Sequence, residues 1–195
     1  MALLKANTAY KPFTYPWAVE FAVTHEKIHW GEWEAKLQDD VAQWKGGKIS
    51  TEEKNHITQI LRLFTQTDVA VGTNYLEYYI PKFKNNEIRA MLSSFVNREF
   101  VHQRAYALLN DTLGLPEDEF SAFTEVKAMK DKLDFMGDID VHSHMGVAKS
   151  IARSVMNEGM SLFSAFAMLL NYQRFGKLKG TCEIVEWSVR DETMH

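Results

Sequence analysis

Apolar residues recur at helical spacing along nearly the whole chain, and they almost nowhere alternate as a strand requires. After a proline-marked, extended start over about residues 1–16 (Pro12, Pro16), Trp17, Val19, Phe21, Ala22 and Ile28 predict a first helix from about Trp17 to Trp30. The mixed stretch Gly31 to Lys48 reads as a linker or short helix. Ser50-Thr51-Glu52-Glu53 is a strong helix start, a hydroxyl followed by acids in the first turn, and a long helix is predicted to about Tyr79, where Pro81 stops it. Lys84-Asn85-Asn86-Glu87 opens another, with Ile88, Met91, Leu92, Phe95, Leu108 and Leu109 apolar, running to about Leu113 before Gly114 and Pro116. A charged helix follows from about Glu117 to Phe135, then a Gly-Asp turn, then the most apolar helix, about His142 to Tyr172. Gly176 and Gly180 frame a loop, and a last helix begins near Cys182. Five or six helices without an internal repeat predict an all-α bundle, one domain over residues 1–195.

Composition agrees with that class. The 195 residues are 46% apolar and 25% charged, enough for one substantial core, and only 4 prolines and 10 glycines interrupt them. A net charge of -4 with interspersed signs offers no basic stripe to a nucleic acid and no polybasic membrane anchor. MALLKANTAYKPF lacks the apolar run of a signal peptide, and no stretch approaches the roughly 20 apolar residues of a membrane span. A cytoplasmic protein is expected, binding neither nucleic acid nor membrane. The lone Cys182 fits a reducing compartment and excludes dithiol chemistry carried by this chain alone.

Helical bundles build metal sites from carboxylates and Glu-x-x-His pairs that project inward, because positions i and i+3 share a helix face. Four such pairs occur here, Glu26-His29, Glu53-His56, Glu99-His102 and Glu192-His195, so the motif alone selects nothing. Glu53-His56 lies in a polar first turn beside Lys54 and reads as surface. Glu26-His29 falls at the end of its helix. Glu99-His102 sits in mid-helix with Phe95, Phe100, Val101 and Leu108 for company, and Tyr106 lies seven residues after Glu99 on the same face. Taken alone, that tyrosine reads as a core residue. Asp68 interrupts LRLFTQTDVAVGTNYL, and Glu158 interrupts the most apolar helix, where a carboxylate is costly to desolvate unless paired or coordinated. Asp68, Glu99, His102, Glu158, Glu192 and His195 together form a set of four carboxylates and two imidazoles. Hard oxygen donors with one nitrogen per ion suit iron or manganese, and one cysteine cannot close a structural zinc site.

At this point the sequence resembles the small, radical-generating subunit of class I ribonucleotide reductase, from about Trp30 to the last residue. The marks are TQTDVAVGTNYLEYY around Asp68, REFVHQRAY around Glu99, NEGMSLFSAFAMLL around Glu158 and WSVRDETMH around Glu192. The resemblance implies a ferritin-like bundle with a di-metal carboxylate site in its core. Asp68, Glu99 and His102 would hold one ion and Glu158, Glu192 and His195 the other, with Glu99 among the bridging carboxylates. The ions would be two iron ions, alternatively manganese or mixed Mn/Fe. Tyr106 matches the radical-bearing tyrosine, shielded in part by Phe163 and Phe166. Asp191 matches the aspartate that links His102 to a tryptophan, here Trp30. The tyrosyl radical would serve a large subunit that holds the ribonucleotide and the redox cysteines, and a homodimer is implied.

The chain stops at His195, where the family continues through further helices and a tail, so a fragment, a truncated reading frame or one half of a split subunit is expected. Two other readings stand beside this one. An R2-like ligand-binding oxidase or desaturase relative would need a substrate tunnel more than the Tyr106, Asp191 and Trp30 set. A ferritin-like metal store would have no use for that set.

Overall fold

A computed structural model describes residues 2–195, and no strand occurs among them. The helices are α1 (Pro16–Lys27), α2 (Gln38–Lys45), α3 (Thr51–Asn74), α4 (Ile80–Lys82), α5 (Asn86–Leu113), α6 (Lys127–Gly137), α7 (His144–Val155), α8 (Leu162–Leu170) and α9 (Lys179–Glu192). Their starts follow local chemistry. Ser50 Oγ accepts from Glu53 N while the Glu53 carboxylate accepts from Ser50 N, a reciprocal cap that opens α3. Asn85 and Ser143 cap α5 and α7 in the simpler way, each accepting from the backbone three residues on. Gly114 ends α5 in the left-handed conformation at φ 73°.

Two of the three long predicted helices run with a change of winding inside each. α3 continues through a π-helical turn, Tyr75–Tyr79, into α4, so Pro81 does not stop it. In the wider turn Ile80 N–H reaches back to Tyr75 O, relieving the crowding between a proline ring and the carbonyl one turn earlier. α7 likewise passes through a π segment, Met156–Ser161, into α8. The segment expected to be one charged helix from Glu117 is two 3-10 turns, Glu117–Phe120 and Ala122–Glu125, followed by α6.

α9 starts three residues earlier than expected, because its cap comes from another helix. Asp40 of α2, buried, accepts from Gly180 N at 3.2 Å, Thr181 N at 2.6 Å and Thr181 Oγ1 at 2.8 Å. A carboxylate on the amides of a helix N-terminus satisfies orphan donors and opposes the dipole. Gly180 permits the approach, since a Cβ there would lie 2.3 Å from Lys36 O. α1 ends at Lys27, short of the predicted Trp30, and the turn that follows sends Trp30 into the core, where it is 2% exposed.

Two apolar clusters fill the interior. The larger joins Trp30, Phe64, Tyr106, Leu109, Phe166, Leu169 and Ile184 across α3, α5, α8 and α9. The smaller gathers Ala18, Tyr75, Tyr79, Leu92 and Phe95 around α1, the π turn after α3 and the first half of α5. No helix among the described residues is long and apolar enough to cross a membrane.

Candidate metal centre

Where the two clusters meet, polar side chains converge. Asp68 comes from α3, Glu99 and His102 from α5, Glu158 from the π segment between α7 and α8, Glu192 from the last turn of α9, and His195 from just beyond it. All six are withdrawn from solvent. They fall into two groups, Asp68, Glu99 and His102, and Glu99, Glu158, Glu192 and His195, in each of which one donor atom per residue lies within 4.8 Å of the others. Glu99 belongs to both. His195 Nδ1 is 3.1 Å from Glu99 Oε1, 3.1 Å from Glu192 Oε2 and 3.8 Å from Glu158 Oε2. His102 Nδ1 is 3.2 Å from Glu192 Oε1 and 3.9 Å from Glu99 Oε2.

These are ion-pair distances without hydrogen-bond alignment. Asp68 Oδ2, both Glu99 oxygens, His102 Nδ1, Glu192 Oε2 and both nitrogens of His195 are buried with no hydrogen-bond partner. Such a density of unpartnered polar atoms would be costly in an apolar interior, and cations placed between them would satisfy it. The electrostatics carry the same message. Burial, then the neighbouring Glu99, pushes the Asp68 carboxyl well above its usual range, and burial with Glu99 and Glu192 does so for Glu158. Burial alone would lower His102, but its pairing with Asp191 and Glu192 raises it to about 10. Protons thus gather where positive charge is wanted. An oxygen-rich set with two imidazoles and no thiolate fits hard divalent ions.

A second ring of contacts surrounds the cluster. Trp30 Nε1 donates to Asp191 Oδ2 at 2.8 Å, and His102 Nε2 lies 3.1 Å from the same oxygen. The Asp191 carboxyl is held below its usual range despite burial, by His102 and Trp30. An ionised carboxylate only accepts, so His102 Nε2 carries the hydrogen and Nδ1 is left for a ligand. Tyr106 is 1% exposed and its hydroxyl donates to Ser188 Oγ at 2.8 Å. Its ring lies 5.0 Å from that of Phe64, which lies 5.1 Å from Phe166.

The ribonucleotide reductase small chain family model matches residues 7–195. The chain belongs to that family. It is 40% identical to a probable ribonucleoside-diphosphate reductase small subunit of Invertebrate iridescent virus 6, an alignment spanning 100% of this chain and 58% of the viral one. A ribonucleoside-diphosphate reductase subunit beta of Chlamydia pneumoniae is 28% identical, over 94% of this chain and 57% of its own length. The chain therefore spans somewhat more than half the length of these relatives. Among solved structures, the dimanganese(II)-NrdF of Streptococcus sanguinis superposes with a TM-score of 0.86 at 18% identity, covering 98% of this chain and 67% of that one. The R2 subunit of Clostridium botulinum gives 0.84 at 22%, covering 93% and 59%. These likenesses establish the ferritin-like fold.

Within this family member the two remaining Glu-x-x-His pairs stand apart from the cluster. Glu53 is engaged in the α3 cap and with Lys177 Nζ at 2.6 Å, while His56 meets the Tyr172 hydroxyl at 3.0 Å near the surface. Glu26 and His29 are exposed, and His29 is paired with Arg98. Phe100 is 43% exposed and faces away from the site, contrary to its expected place beside Glu99, because α5 turns that flank outward. Phe163 is half-buried and reaches Phe166, leaving Phe64 as the ring against Tyr106. Three polar neighbours had no signal in the sequence. Tyr75 donates to Glu158 Oε2 at 3.2 Å, Ser188 receives Tyr106, and His25 lies 1% exposed behind Asp191 and His195. None sits in a spacing motif. Only the π turn and the helix packing bring them in.

Proposed function

We propose that this chain provides the radical-generating metal centre of a ribonucleoside-diphosphate reductase small subunit, an oxidoreductase active only with a large subunit. The single observation supporting it most is the convergence of four carboxylates and two imidazoles on one buried volume beside Tyr106. In this reading Asp68, Glu99 and His102 would hold one ion and Glu158, Glu192 and His195 the other, with Glu99 common to both groups. The ions are two iron ions or, as the name of the Streptococcus sanguinis protein records for it, manganese; a mixed Mn/Fe pair suits the same donors. Once bound, they supply the one-electron oxidising power that a tyrosyl radical stores.

The chain's own residues do the rest. Burial pushes the Tyr106 phenol well above its ordinary range, so it is held as the neutral, protonated phenol. Ser188 gives its own hydrogen to Ile184 O at 3.0 Å and therefore can only accept from Tyr106, which fixes the phenol's orientation. Phe64 and Phe166 keep water and reductants from the ring. Trp30, Asp191 and His102 form one hydrogen-bonded line, the inner part of an electron and proton route, and Trp187 packs against Trp30 at 5.0 Å on its outer side. The partner at the end of that route is the large subunit, which holds the ribonucleotide and the redox cysteines. A homodimer in the cytoplasm goes with this assignment, as does the single buried thiol of Cys182.

The test is metal quantitation with electron paramagnetic resonance after exposure to ferrous or manganous ion and oxygen, on wild type and Tyr106→Phe. Two ions per chain and a radical signal lost in Tyr106→Phe are expected. A signal that survives the substitution overturns the tyrosine assignment.

A further inference from the structure

His25 lies on the inner face of α1, and no role so far described uses it. Its Nδ1 is 3.3 Å from Ser94 Oγ, and that hydroxyl gives its one hydrogen to Met91 O at 2.7 Å. Ser94 has only lone pairs left, so His25 Nδ1 carries a hydrogen and donates it. In the neutral ring the lone pair is then on Nε2. That atom is buried without a partner and looks inward, 3.9 Å from Asp191 Oδ1. The His25 ring meets the His195 ring edge to face, centroids 5.1 Å apart at 88°.

His195 is the complementary case. Its Nδ1 faces Glu99, Glu192 and Glu158, so a cation bound there takes the Nδ1 lone pair and leaves the hydrogen on Nε2. His195 Nε2 is likewise buried without a partner. An orphaned acceptor and an orphaned donor thus sit on two rings in contact. Leaving both unpaired in a buried site is costly, and metal-bound imidazoles depend on a partner for their outer nitrogen.

We propose that His25 is a positioning residue of the metal centre, whose Nε2 accepts the Nε2–H of His195 and holds that ring with Nδ1 toward the ion. It does for His195 what Asp191 does for His102, but with a neutral acceptor in place of an anion. The two imidazoles are therefore unequal donors. His102, backed by a carboxylate, is the stronger ligand, and the ion beside His195 is the weaker of the pair. This rests on the reading of His195 as a ligand.

The experiment is a manganous ion titration of the full chain, followed by the loss of the free-ion resonance, on wild type, His25→Phe and His25→Gln. Wild type is expected to take up two ions in unequal steps. His25→Phe keeps the ring volume but cannot accept a hydrogen bond, and should weaken the second step by about 10–100-fold while leaving the first. His25→Gln offers an amide oxygen and should restore most of the loss. Circular dichroism of the metal-free proteins reports whether each is folded. Ser94→Ala removes only the lock on the His25 tautomer, and should weaken the same step to a smaller degree. A folded His25→Phe chain with wild-type affinity at both steps overturns the role of His25 and leaves the ligand set standing. A wild-type chain that binds no pair of ions overturns the ligand set, and this inference with it.

Discussion

The two donor groups of the candidate metal centre use the same kinds of side chain in different surroundings. Asp68, Glu99 and His102 lie against the larger core, with Tyr106, Phe64 and Trp30 packed around them. Glu158, Glu192 and His195 instead line an apolar cavity of about 580 Å³, whose other walls include Tyr75, Tyr79, Leu92, Phe95 and Val155. Glu158 also stands on a π segment, a winding found preferentially at functional positions. Close-packed walls transmit any change in a side chain, whereas a carboxylate beside open volume can swing without disturbing its neighbours. One group is thus held by packing and the other has open volume beside it, so in the proposed centre side-chain movement is expected at Glu158 rather than at Asp68.

Glu99 is the residue that joins the halves, and its removal is expected to have the largest effect. Glu99→Ala should bring metal content from two ions per chain to about zero, because both donor groups lose their common carboxylate, and Glu192, the other acid within reach of both imidazoles, does not belong to the group of Asp68. Elemental analysis after dialysis measures it. Retention of one tightly held ion would show that the halves bind independently, and the comparison would then have to be drawn between two separate sites.

Proton competition sharpens the contrast by a smaller amount. His102 in the metal-free chain is raised to about 10, so its pairing contributes stability that is complete below about pH 6.5 and lost as pH rises through about 10. Glu192 is lowered to about 2 despite its burial, through His195 and His102, so its contribution is present above about pH 4.5 and lost on acidification toward 2. Asp68 and Glu158, both raised, add to the loss with rising pH. The metal-free chain should therefore melt at lower temperature at about pH 8.5 than at about pH 6. Ions displace these protons, so the gain in melting temperature on adding manganous ion should grow over the same interval. A gain that shrinks with pH would mean the protonated groups are not the ones the ions meet.

Much of the helical frame was legible because its signals are local. Ser50 with Glu53, Asn85 and Gly114 announce helix ends by chemistry confined to a turn. The π turns were not legible, since a backbone amide that reaches one residue further back carries no mark in composition. The start of α9 was hidden for a related reason, its cap being Asp40, 140 residues away. α1 shows how a pattern misleads. Trp17 and Phe21, which suggested its inner face, are 47% and 42% exposed, while the side packed on α5 carries Ala18 and His25. The candidate donors were readable one by one as acids and imidazoles in apolar helices. Their convergence was not, because it depends on where four helical segments cross.

The smallest expected effect tests whether the adjustable half acts through its backbone or through its outward side chains. Met156 and Met160 belong to the π segment that carries Glu158, and they are 59% and 74% exposed. Glu158 points the other way, into the cavity with Tyr75 on its carboxylate. Met160→Gln keeps length and helix propensity and changes only what the outward face presents. Stability should move by no more than about 0.5 kcal/mol, the usual range for surface substitutions, and affinity for both ions should stay as in wild type. A clear loss of the ion near Glu158 would mean that the outward side chains help hold the π turn in place. The freedom of that half would then lie in its surface rather than in the open volume beside its carboxylate.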